Sequence, residues 1–431
     1  MFHLGWFVGY GFGVQSWNQI WSGTGGTEWS RPDLYVDMAR SMERACFDYM
    51  MIEDSSCVPD IYGDSMESVL RNAHGAPKHD PMALVPLIAA ATTRLGIVAT
   101  AATTFYPPYL LARLASTLDH LSAGRVGINL VTASSDRAAQ NYGLEKHFEH
   151  DKRYEMAHEW TELVTKLWDS WEPDAVVLDE ERGIFADHTR VHRVDFKGQY
   201  YSARGPLQTI ASPQGRPVIC QAGGSEAGKD FAAKWADTIV SAVRGADKMK
   251  AARTDMNERL RRFGRDPASA KMLYLIMPVL GETMDEAREK HARILEQRSR
   301  EYEFVLQTMS YASGVDFSRF DLDQPLPEVE TNGHRSTIAD FAKAAKGKTL
   351  RELASFRTME SIELVGTPDS IAAQMGEAMQ EAGGDGFLIG NVVERRQIAE
   401  ICDGLVPALQ KRGLTRKAYT HATLRENLLE F

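Results

Sequence analysis

A glycine-rich turn lies between a short apolar run and a helical stretch in the middle of the chain. It reads QAGGSEAG from Gln221 to Gly228. Adjacent glycines let backbone N–H groups approach a ligand closely, and the N-terminus of the following helix favours an anion. Ser225 is able both to cap that helix and to donate to a phosphate oxygen. The turn therefore indicates either a phosphate site that includes Gly224 and Ser225 or a plain helix cap.

Small polar residues follow two other apolar runs. One series reads NLVTASS from Asn129 to Ser135, and Thr100 begins a threonine-rich stretch elsewhere. Amide and hydroxyl side chains at a strand end supply donors and acceptors without blocking access to it. They suit a ligand with many polar edges, such as an isoalloxazine ring with its ribityl chain. A polar turn without a special purpose is the alternative.

A third segment, HFEHDKRYE from His147 to Glu155, begins a predicted helix. His150 and Tyr154 are four residues apart, so they share one face of that helix. A histidine and a phenol near a helix start suit a phosphate group. Two alternatives stay open, namely a structural role and a metal site formed by His147, His150 and His158. The histidine spacing matches no recognised zinc motif.

Two carboxylates, Glu53 and Asp54, end the second apolar run. Neighbouring residues of a strand point to opposite faces, so only one of them is expected to face a ligand. We expect Asp54 to be a single hydrogen-bond acceptor rather than half of an acid–base pair. The sequence contains no GxSxG motif and no spacing typical of a Ser/His/Asp or Cys/His set, so it identifies no catalytic residue.

The elements that must position these residues alternate along the chain. Eight short apolar runs separated by amphipathic stretches predict parallel strands with helical crossovers, an α/β fold. The predicted strands are His3–Val8, Tyr49–Glu53, Leu95–Thr100, Val126–Val131, Pro217–Gln221, Thr238–Ala242, Leu273–Leu280 and Gly386–Ile389. Eight units favour a (β/α)8 TIM barrel, whose active site lies at the carboxyl ends of the strands. A doubly wound open sheet is the alternative, but the turn from Gly9 lacks the third glycine of GxGxxG.

The length of the chain predicts insertions in one barrel domain that spans residues 1–431. We place them near 10–31, 170–215 and 287–363. The first is rich in aromatic residues, which suit a planar ligand or a subunit interface. The second contains a hairpin-like stretch, Val194–Ser202. The third is our candidate for a lid.

Composition narrows the class of protein. The chain has 431 residues, of which 43% are hydrophobic and 25% charged, as in a globular enzyme. Its formal charge is 49 − 59 = −10, which argues against a nucleic-acid partner. No segment approaches the roughly 18 apolar residues of a membrane helix, and no signal peptide is recognisable. The four scattered cysteines are expected to be reduced thiols in a cytoplasmic protein, with a reactive role for Cys57 or Cys220 as the alternative.

Taken together, these segments resemble the flavin-dependent monooxygenases of the bacterial luciferase-like superfamily. The similarity is greatest to the class that contains nitrilotriacetate, dibenzothiophene-sulfone and long-chain alkane monooxygenases, and it covers nearly the whole chain. Its most specific parts are TLDHLSAGR from Thr117, NLVTAS from Asn129, NYG from Asn141 and QAGGSEAG from Gln221.

The resemblance implies an exchangeable FMN cofactor that arrives as FMNH2 from a separate NAD(P)H:flavin reductase. Together with the glycine turn, it places seven residues around FMN, with Tyr154 and Ser225 at the phosphate end. These residues are Asp54, Thr100, Asn129, His150, Tyr154, Gly224 and Ser225. One departure is the triplet Tyr106-Pro107-Pro108, where the family commonly has a histidine, so no catalytic role is transferred to that position.

The implied reaction uses O2, activated as a peroxyflavin, to oxygenate or oxidatively cleave a small organic substrate. The cofactor carries this chemistry, while the protein orients the reactants and excludes water. The aromatic loop Trp6–Trp29 favours an aromatic, heterocyclic or flavin-like substrate over a polyanion, since Arg31 and His74 are the only cations evident near the barrel mouth. A deazaflavin-dependent hydride-transfer dehydrogenase and a non-catalytic flavin-binding protein are the alternatives. We expect a homo-dimer or homo-tetramer.

Overall fold

Eight parallel strands close into a barrel in the computed structural model of the protein, which describes residues 1–9, 14, 25–300, 302–327, 347–354 and 360–431. The strands are β1 (His3–Val8), β2 (Tyr49–Ile52), β3 (Gly96–Ala102), β4 (Val126–Val131), β5 (Val218–Gln221), β6 (Thr238–Ser241), β7 (Lys271–Ile276) and β8 (Gly386–Ile389). Each strand pairs with its neighbour in chain order, and β8 pairs with β1. This topology confirms the predicted TIM barrel and excludes the open doubly wound sheet.

The seventh predicted strand differs most in extent from the structure, whereas the other strands agree within two residues at each end. The apolar run Leu273–Leu280 does not form a single strand, because β7 ends at Ile276. A separate short strand, Val279–Leu280, pairs with Val365–Gly366 outside the barrel. Pro278 lies between the two strands and lacks the N–H that a continuous ladder would need.

Helices alternate with the strands, as predicted. Those between the barrel strands are Pro32–Arg44, Pro81–Ala91, Pro108–Leu121, His150–Trp168, Glu226–Trp235, Ala246–Arg262, Met284–Arg300, Tyr302–Ser313 and Pro368–Ala382. Shorter ones are Gly25–Glu28, Glu67–Asn72, Asp136–Asn141, Leu350–Ala354, Arg395–Ala399, Val406–Lys411 and Leu424–Leu428. Among the described residues, none of the helices combines the length and apolar character that crossing a membrane requires.

The barrel interior is packed with side chains from alternate strand positions. Tyr49, Met51, Val98 and Leu273 belong to this inner cluster. The helix Leu424–Leu428 adds Leu424 and Leu428 to it from the amino ends of the strands. A filled interior with a closed amino end leaves the carboxyl ends of the strands for a ligand.

Two of the predicted insertions lie at opposite ends of the barrel. Residues 170–215 precede β5 and therefore lie at the amino ends, where Phe196–Lys197 and Ser202–Ala203 form a hairpin. The insertion 287–363 follows β7, and residues 301, 328–346 and 355–359 of it lie outside the described residues. Its described part reaches the carboxyl ends of the strands. There the helix Tyr302–Ser313 packs against the helix Glu67–Asn72 of the loop after β2.

The predicted aromatic insertion after β1 lies mostly outside the described residues, which omit 10–13 and 15–24. Its proposed contact with a planar ligand therefore stays a prediction. At its two ends, Trp6 is buried in the core and Trp29 lies beside His79, with 5.0 Å between the ring centroids.

Candidate functional site

Thr100 and Asn129 form a buried pair where β3 and β4 run side by side. Their Cα atoms are in register, and the Nδ2 of Asn129 donates to the Oγ1 of Thr100 at 3.0 Å. Thr100 in turn donates to the carbonyl oxygen of Ile52 at 2.8 Å. The Oδ1 of Asn129 is buried and has no hydrogen-bond partner among the described residues. Since buried acceptors are rarely left unpaired, this atom points to a donor on a ligand.

Tyr154 reaches across to the glycine-rich turn that follows β5. Its phenol lies beside the side chains of Ser225, Thr132 and Gln221. Gly223 leaves the room that this phenol needs, because a Cβ there would lie 2.7 Å from the hydroxyl oxygen. Burial raises the pKa of Tyr154, so its phenol is a neutral hydrogen-bonding group at physiological pH.

The glycine-rich turn ends in a capped helix N-terminus. The Oγ of Ser225 accepts the N–H of Gly228 at 3.1 Å, and the N–H of Gly223 donates to the Oε1 of Gln221 at 2.8 Å. Gly224 is exposed between them. Ser225 therefore is a helix cap that also contacts Tyr154, and the positive end of the helix dipole beside it favours an anion.

The three histidines of the third segment have separate partners. His150 is buried, with its ring 5.2 Å from that of Tyr154 and its Nδ1 2.7 Å from a carboxylate oxygen of Asp151. Burial lowers the pKa of His147 to about 4 and that of His158 to about 4, so both rings are neutral. The Nδ1 of His158 accepts from a tryptophan indole at 3.0 Å. In the described part of the chain, no three His, Cys, Asp or Glu side chains are grouped to hold a metal ion.

The two carboxylates after β2 have different surroundings. Glu53 pairs with Lys78, whose Nζ lies 3.0 and 2.8 Å from its two carboxylate oxygens. Asp54 is largely desolvated, and burial raises its pKa to about 6 although Lys78 acts in the opposite direction. Asp54 therefore titrates close to neutral pH, whereas Glu53 forms an ion pair with Lys78.

The cations near the barrel mouth differ from those that the sequence indicated. His74 is buried, and burial lowers its pKa to about 3, so it carries no charge at neutral pH. Arg31 is exposed and pairs with Asp33 at 3.2 Å. Lys78 was missed, because only the packing of its loop brings it to the end of β2.

Burial determines the state of the two thiols near the strand ends, and for Cys57 it outweighs the opposing effect of Lys78. Cys220 is buried, and burial raises its pKa. Burial raises the pKa of Cys57 as well, and its sulfur lies 4.0 Å from the Oγ of Ser135. Both are free cysteines that stay protonated at neutral pH, which favours the interpretation as unreactive thiols.

Tyr311 brings the insertion after β7 to the same end of the barrel. Its hydroxyl lies beside Ser55 and Cys57, immediately beyond Asp54. No local motif marks this residue in the sequence, because the contact depends on how the helix Tyr302–Ser313 docks. The carboxyl ends of β2 to β5 thus carry an amide oxygen without a partner in the described part of the chain, an anion-compatible helix start and a covering helix.

Comparisons with known proteins agree with this geometry. The sequence pattern of the luciferase-like monooxygenase family matches residues 10–386. The chain is 38% identical to the dibenzothiophene-sulfone monooxygenase of Rhodococcus erythropolis, over 91% of this chain and 89% of that protein. It is 32% identical to nitrilotriacetate monooxygenase component A of Aminobacter aminovorans, over 91% and 89% of the two chains.

Among solved structures, the chain superposes on a riboflavin lyase crystallised with modified FMN and the substrate riboflavin. The TM-score is 0.91 at 29% identity, and the match covers 100% of this chain and 96% of that one. The comparisons confirm the resemblance inferred from the sequence motifs. The chain therefore belongs to the luciferase-like family of flavin-dependent monooxygenases.

Proposed function

We propose that this protein is the oxygenase of a two-component system. In this proposal it receives FMNH2 from a separate NAD(P)H:flavin reductase and uses O2 to oxygenate or oxidatively cleave a small organic substrate. The designation "component A" of the nitrilotriacetate relative supports a second component. The FMN in the riboflavin lyase structure supports the identity of the flavin.

The observation that carries the proposal is a line of polar groups at the carboxyl ends of adjacent strands. It leads from the Oδ1 of Asn129 on β4, to which no described residue donates, to Thr132, Tyr154 and Ser225. In our proposal Ser225, Gly224 and Tyr154 bind the phosphate, with His150 beside them. Thr100, Asn129 and Asp54 then contact the polar edges of the ring. These groups fit FMN because one end favours an anion and the other presents a buried acceptor.

Bound reduced flavin supplies the electrons and the reactivity towards O2. The residues of the chain have the tasks of binding, orientation and water exclusion. Tyr154 is a neutral phenol beside Ser225, Thr132 and Gln221, so it offers a hydrogen-bonding group to a ligand at the glycine-rich turn. The contact of Tyr311 with Ser55 covers the loop beside Asp54, which supports water exclusion by the insertion.

The charges around the mouth support a neutral planar substrate, aromatic, heterocyclic or flavin-like, over a polyanion. Lys78 is already paired with Glu53, and Arg31 is paired with Asp33. His74 is neutral at physiological pH. A substrate with several carboxylates would need cationic partners, and these three side chains do not offer an uncompensated one.

The proposal is tested by oxygen uptake with purified protein, FMN, NADH and a general flavin reductase. We expect uptake above the background of reductase and flavin to depend on the substrate, in a panel of dibenzothiophene sulfone, riboflavin and nitrilotriacetate. Photoreduced FMN should replace the reductase, since only the reduced flavin is needed. The purified protein should be nearly colourless and bind FMN with a dissociation constant on the order of micromolar, as for an exchangeable ligand.

Two outcomes would contradict the proposal. Anaerobic hydride transfer to or from a deazaflavin, without substrate-dependent oxygen uptake, would identify a dehydrogenase. Yellow protein with tightly bound FMN and no turnover with any member of the panel would identify a flavin-binding protein.

A further inference from the structure

Three aromatic side chains stack beside the candidate flavin site. Phe105, which follows β3, lies 4.3 Å from Tyr142 with an angle of 8° between the rings. It also lies 5.5 Å from His147, at 27°. His147 is 6% exposed and Tyr142 is 49% exposed, so this aromatic stack (Phe105, Tyr142 and His147) extends from the interior to the surface.

Hydrogen bonds fix both ends of the aromatic stack. The hydroxyl of Tyr142 donates to the Oγ of Ser56 at 3.1 Å. The Nδ1 of His147 accepts the N–H of Phe148 at 2.9 Å, so its Nε2 carries the proton and donates to the carbonyl of Thr132 at 3.1 Å. The stack is therefore neutral and rigid, and rigid aromatic surfaces lose little conformational entropy when they bind a ligand.

The aromatic stack connects the same loops that carry the candidate flavin residues. Ser56, which holds Tyr142, is two residues beyond Asp54. The carbonyl of Thr132, which holds His147, also accepts from Thr104 at 3.3 Å, and the Thr132 side chain contacts Tyr154. Tyr142 thus lies at the exposed rim of the site, where a ligand that enters after the flavin would meet it.

We propose that the exposed ring of Tyr142 is a stacking surface for the planar ring of the substrate. The aromatic stack would then select planar aromatic or heteroaromatic molecules over flexible or highly charged ones. Offset stacking is one of the two favourable arrangements of aromatic rings, and Phe105 already stacks on Tyr142 in a nearly parallel orientation. This inference rests on the proposed function, because it requires a substrate next to the flavin.

The test measures binding of dibenzothiophene sulfone and of riboflavin by calorimetry, in protein saturated with FMN so that the cofactor site is filled. Nitrilotriacetate is the non-planar comparison. We expect Tyr142→Ala to weaken binding of the planar probes by about tenfold, since the loss of an aromatic contact has this size. Tyr142→Phe should stay within about threefold of the wild type, because it keeps the ring.

The matched control is Phe185→Ala. Phe185 is 62% exposed in the strand Ile184–Ala186, which pairs with Val176–Asp179 in the insertion 170–215, so its removal tests unspecific binding to surface aromatics. Unchanged FMN affinity and an unchanged melting temperature would show that Tyr142→Ala keeps the fold.

The inference would be overturned if the wild type bound neither planar probe, or if Tyr142→Ala bound them with unchanged affinity. It would also be overturned if Tyr142→Ala lost as much affinity for FMN as for the planar probes, since the ring would then belong to the cofactor site. Oxygen uptake with nitrilotriacetate but no planar binding would refute the stacking surface while the proposed function holds. Planar binding that depends on Tyr142, without any FMNH2-dependent uptake, would refute the function alone.

Discussion

The Nδ2 of Asn129 donates to the Oγ1 of Thr100 at 3.0 Å, and this contact fixes the direction of the Asn129 amide. The Thr100 hydroxyl uses its only proton on the carbonyl of Ile52, at 2.8 Å, because a carbonyl oxygen can only accept. Toward Asn129 it therefore acts as an acceptor, so the NH2 group of the amide must face it. The Oδ1 of Asn129 consequently points elsewhere and presents an acceptor, which suits an N–H donor of a flavin ring.

Replacing Thr100 by valine removes the group that orients this amide. We expect Thr100→Val to raise the dissociation constant of FMN by about tenfold, which corresponds to the loss of one well-formed hydrogen bond. The measurement is a titration of the purified protein with FMN, followed by the quenching of flavin fluorescence.

Thr238→Val is the matched control for this substitution. Thr238 is buried in β6, and its Oγ1 lies 3.1 Å from the hydroxyl of Tyr49 inside the barrel. We expect a comparable loss of thermal stability but unchanged FMN affinity. Equal FMN affinities for Thr100→Val and the wild type would show that Thr100 does not orient a flavin ligand.

A substitution of Gly223 tests whether FMN binding needs the space beside Tyr154, at the proposed phosphate end of the site. Its added Cβ would lie 2.7 Å from the hydroxyl oxygen of Tyr154, and the Nε2 of Gln221 would be closer still. Gly223→Ala must therefore displace Tyr154, and we expect FMN affinity to fall by roughly 10- to 100-fold. Gly404→Ala is the control, since the nearest atom to its Cβ is 3.6 Å away.

A double-mutant cycle with Tyr154→Phe separates this steric effect from a general disturbance of the turn. Removing the hydroxyl removes part of the clash, so the double variant should bind FMN better than the sum of the two single effects implies. Strictly additive losses would mean that Gly223 and Tyr154 act independently.

The positions of the strands could be predicted from the sequence because the strands of a parallel barrel are buried and therefore apolar. In a parallel barrel both faces of a strand are covered, so β1, β4 and β8 are mostly apolar runs whose bounds the sequence predicts correctly. The same rule predicts β7 to be too long, because an apolar run alone does not reveal where a buried strand ends and a buried loop begins. There the decisive residue was Pro278.

Residues of the candidate site could be predicted from the sequence only where a short motif marks them. Ser225 lies in a glycine turn before a helix, and Tyr154 follows His150 at helical spacing, so each has a signal within a few residues. Lys78 and Tyr311 act through contacts between loops of different strands. Such contacts depend on how the insertion and the loop after β2 pack, which no short motif encodes.

The partly buried carboxyl of Asp54 predicts a pH dependence of stability. Burial raises its folded-state pKa from 3.8 to about 6, so the folded protein binds this proton more tightly than the unfolded chain does. The stabilisation is complete below the unfolded pKa and is lost as the pH rises through 6. At pH 7 and above, Asp54→Asn should therefore be more stable than the wild type, by at most about 3 kcal/mol.

Melting temperatures of the wild type and Asp54→Asn between pH 4 and 8 check this dependence. The difference should grow from pH 4 to 6 and then stay constant. Asp285→Asn is the control, because its side chain is 95% exposed and its effect should not change across this range. A constant difference for Asp54→Asn across the whole range would show that this carboxyl has an ordinary pKa in the folded protein.

A buried hydrogen bond holds the insertion after β7 on the loop after β2. The Oγ of Ser68 donates to the Oε1 of Gln307 at 2.9 Å, and the two residues are 8% and 2% exposed. Ser68→Ala removes the donor and leaves a buried acceptor unsatisfied, at a cost of about 1–3 kcal/mol. The helix Tyr302–Ser313, which carries Tyr311, should then dock less firmly.

We expect two consequences of this loosening. Amide hydrogen exchange should become faster in Tyr302–Ser313, because the docked helix opens more often. The yield of hydrogen peroxide per NADH oxidised should rise in the presence of substrate, because water reaches the reduced flavin and oxygen more easily.

Ser122→Ala is the matched control, since Ser122 is 1% exposed and donates to the carbonyl of Asp119 at the amino end of the barrel. It should lower the melting temperature without changing the peroxide yield. An equal rise of peroxide in both variants would attribute the uncoupling to general destabilisation. Faster exchange in Tyr302–Ser313 with an unchanged peroxide yield would mean that the insertion docks as described but does not act as the lid.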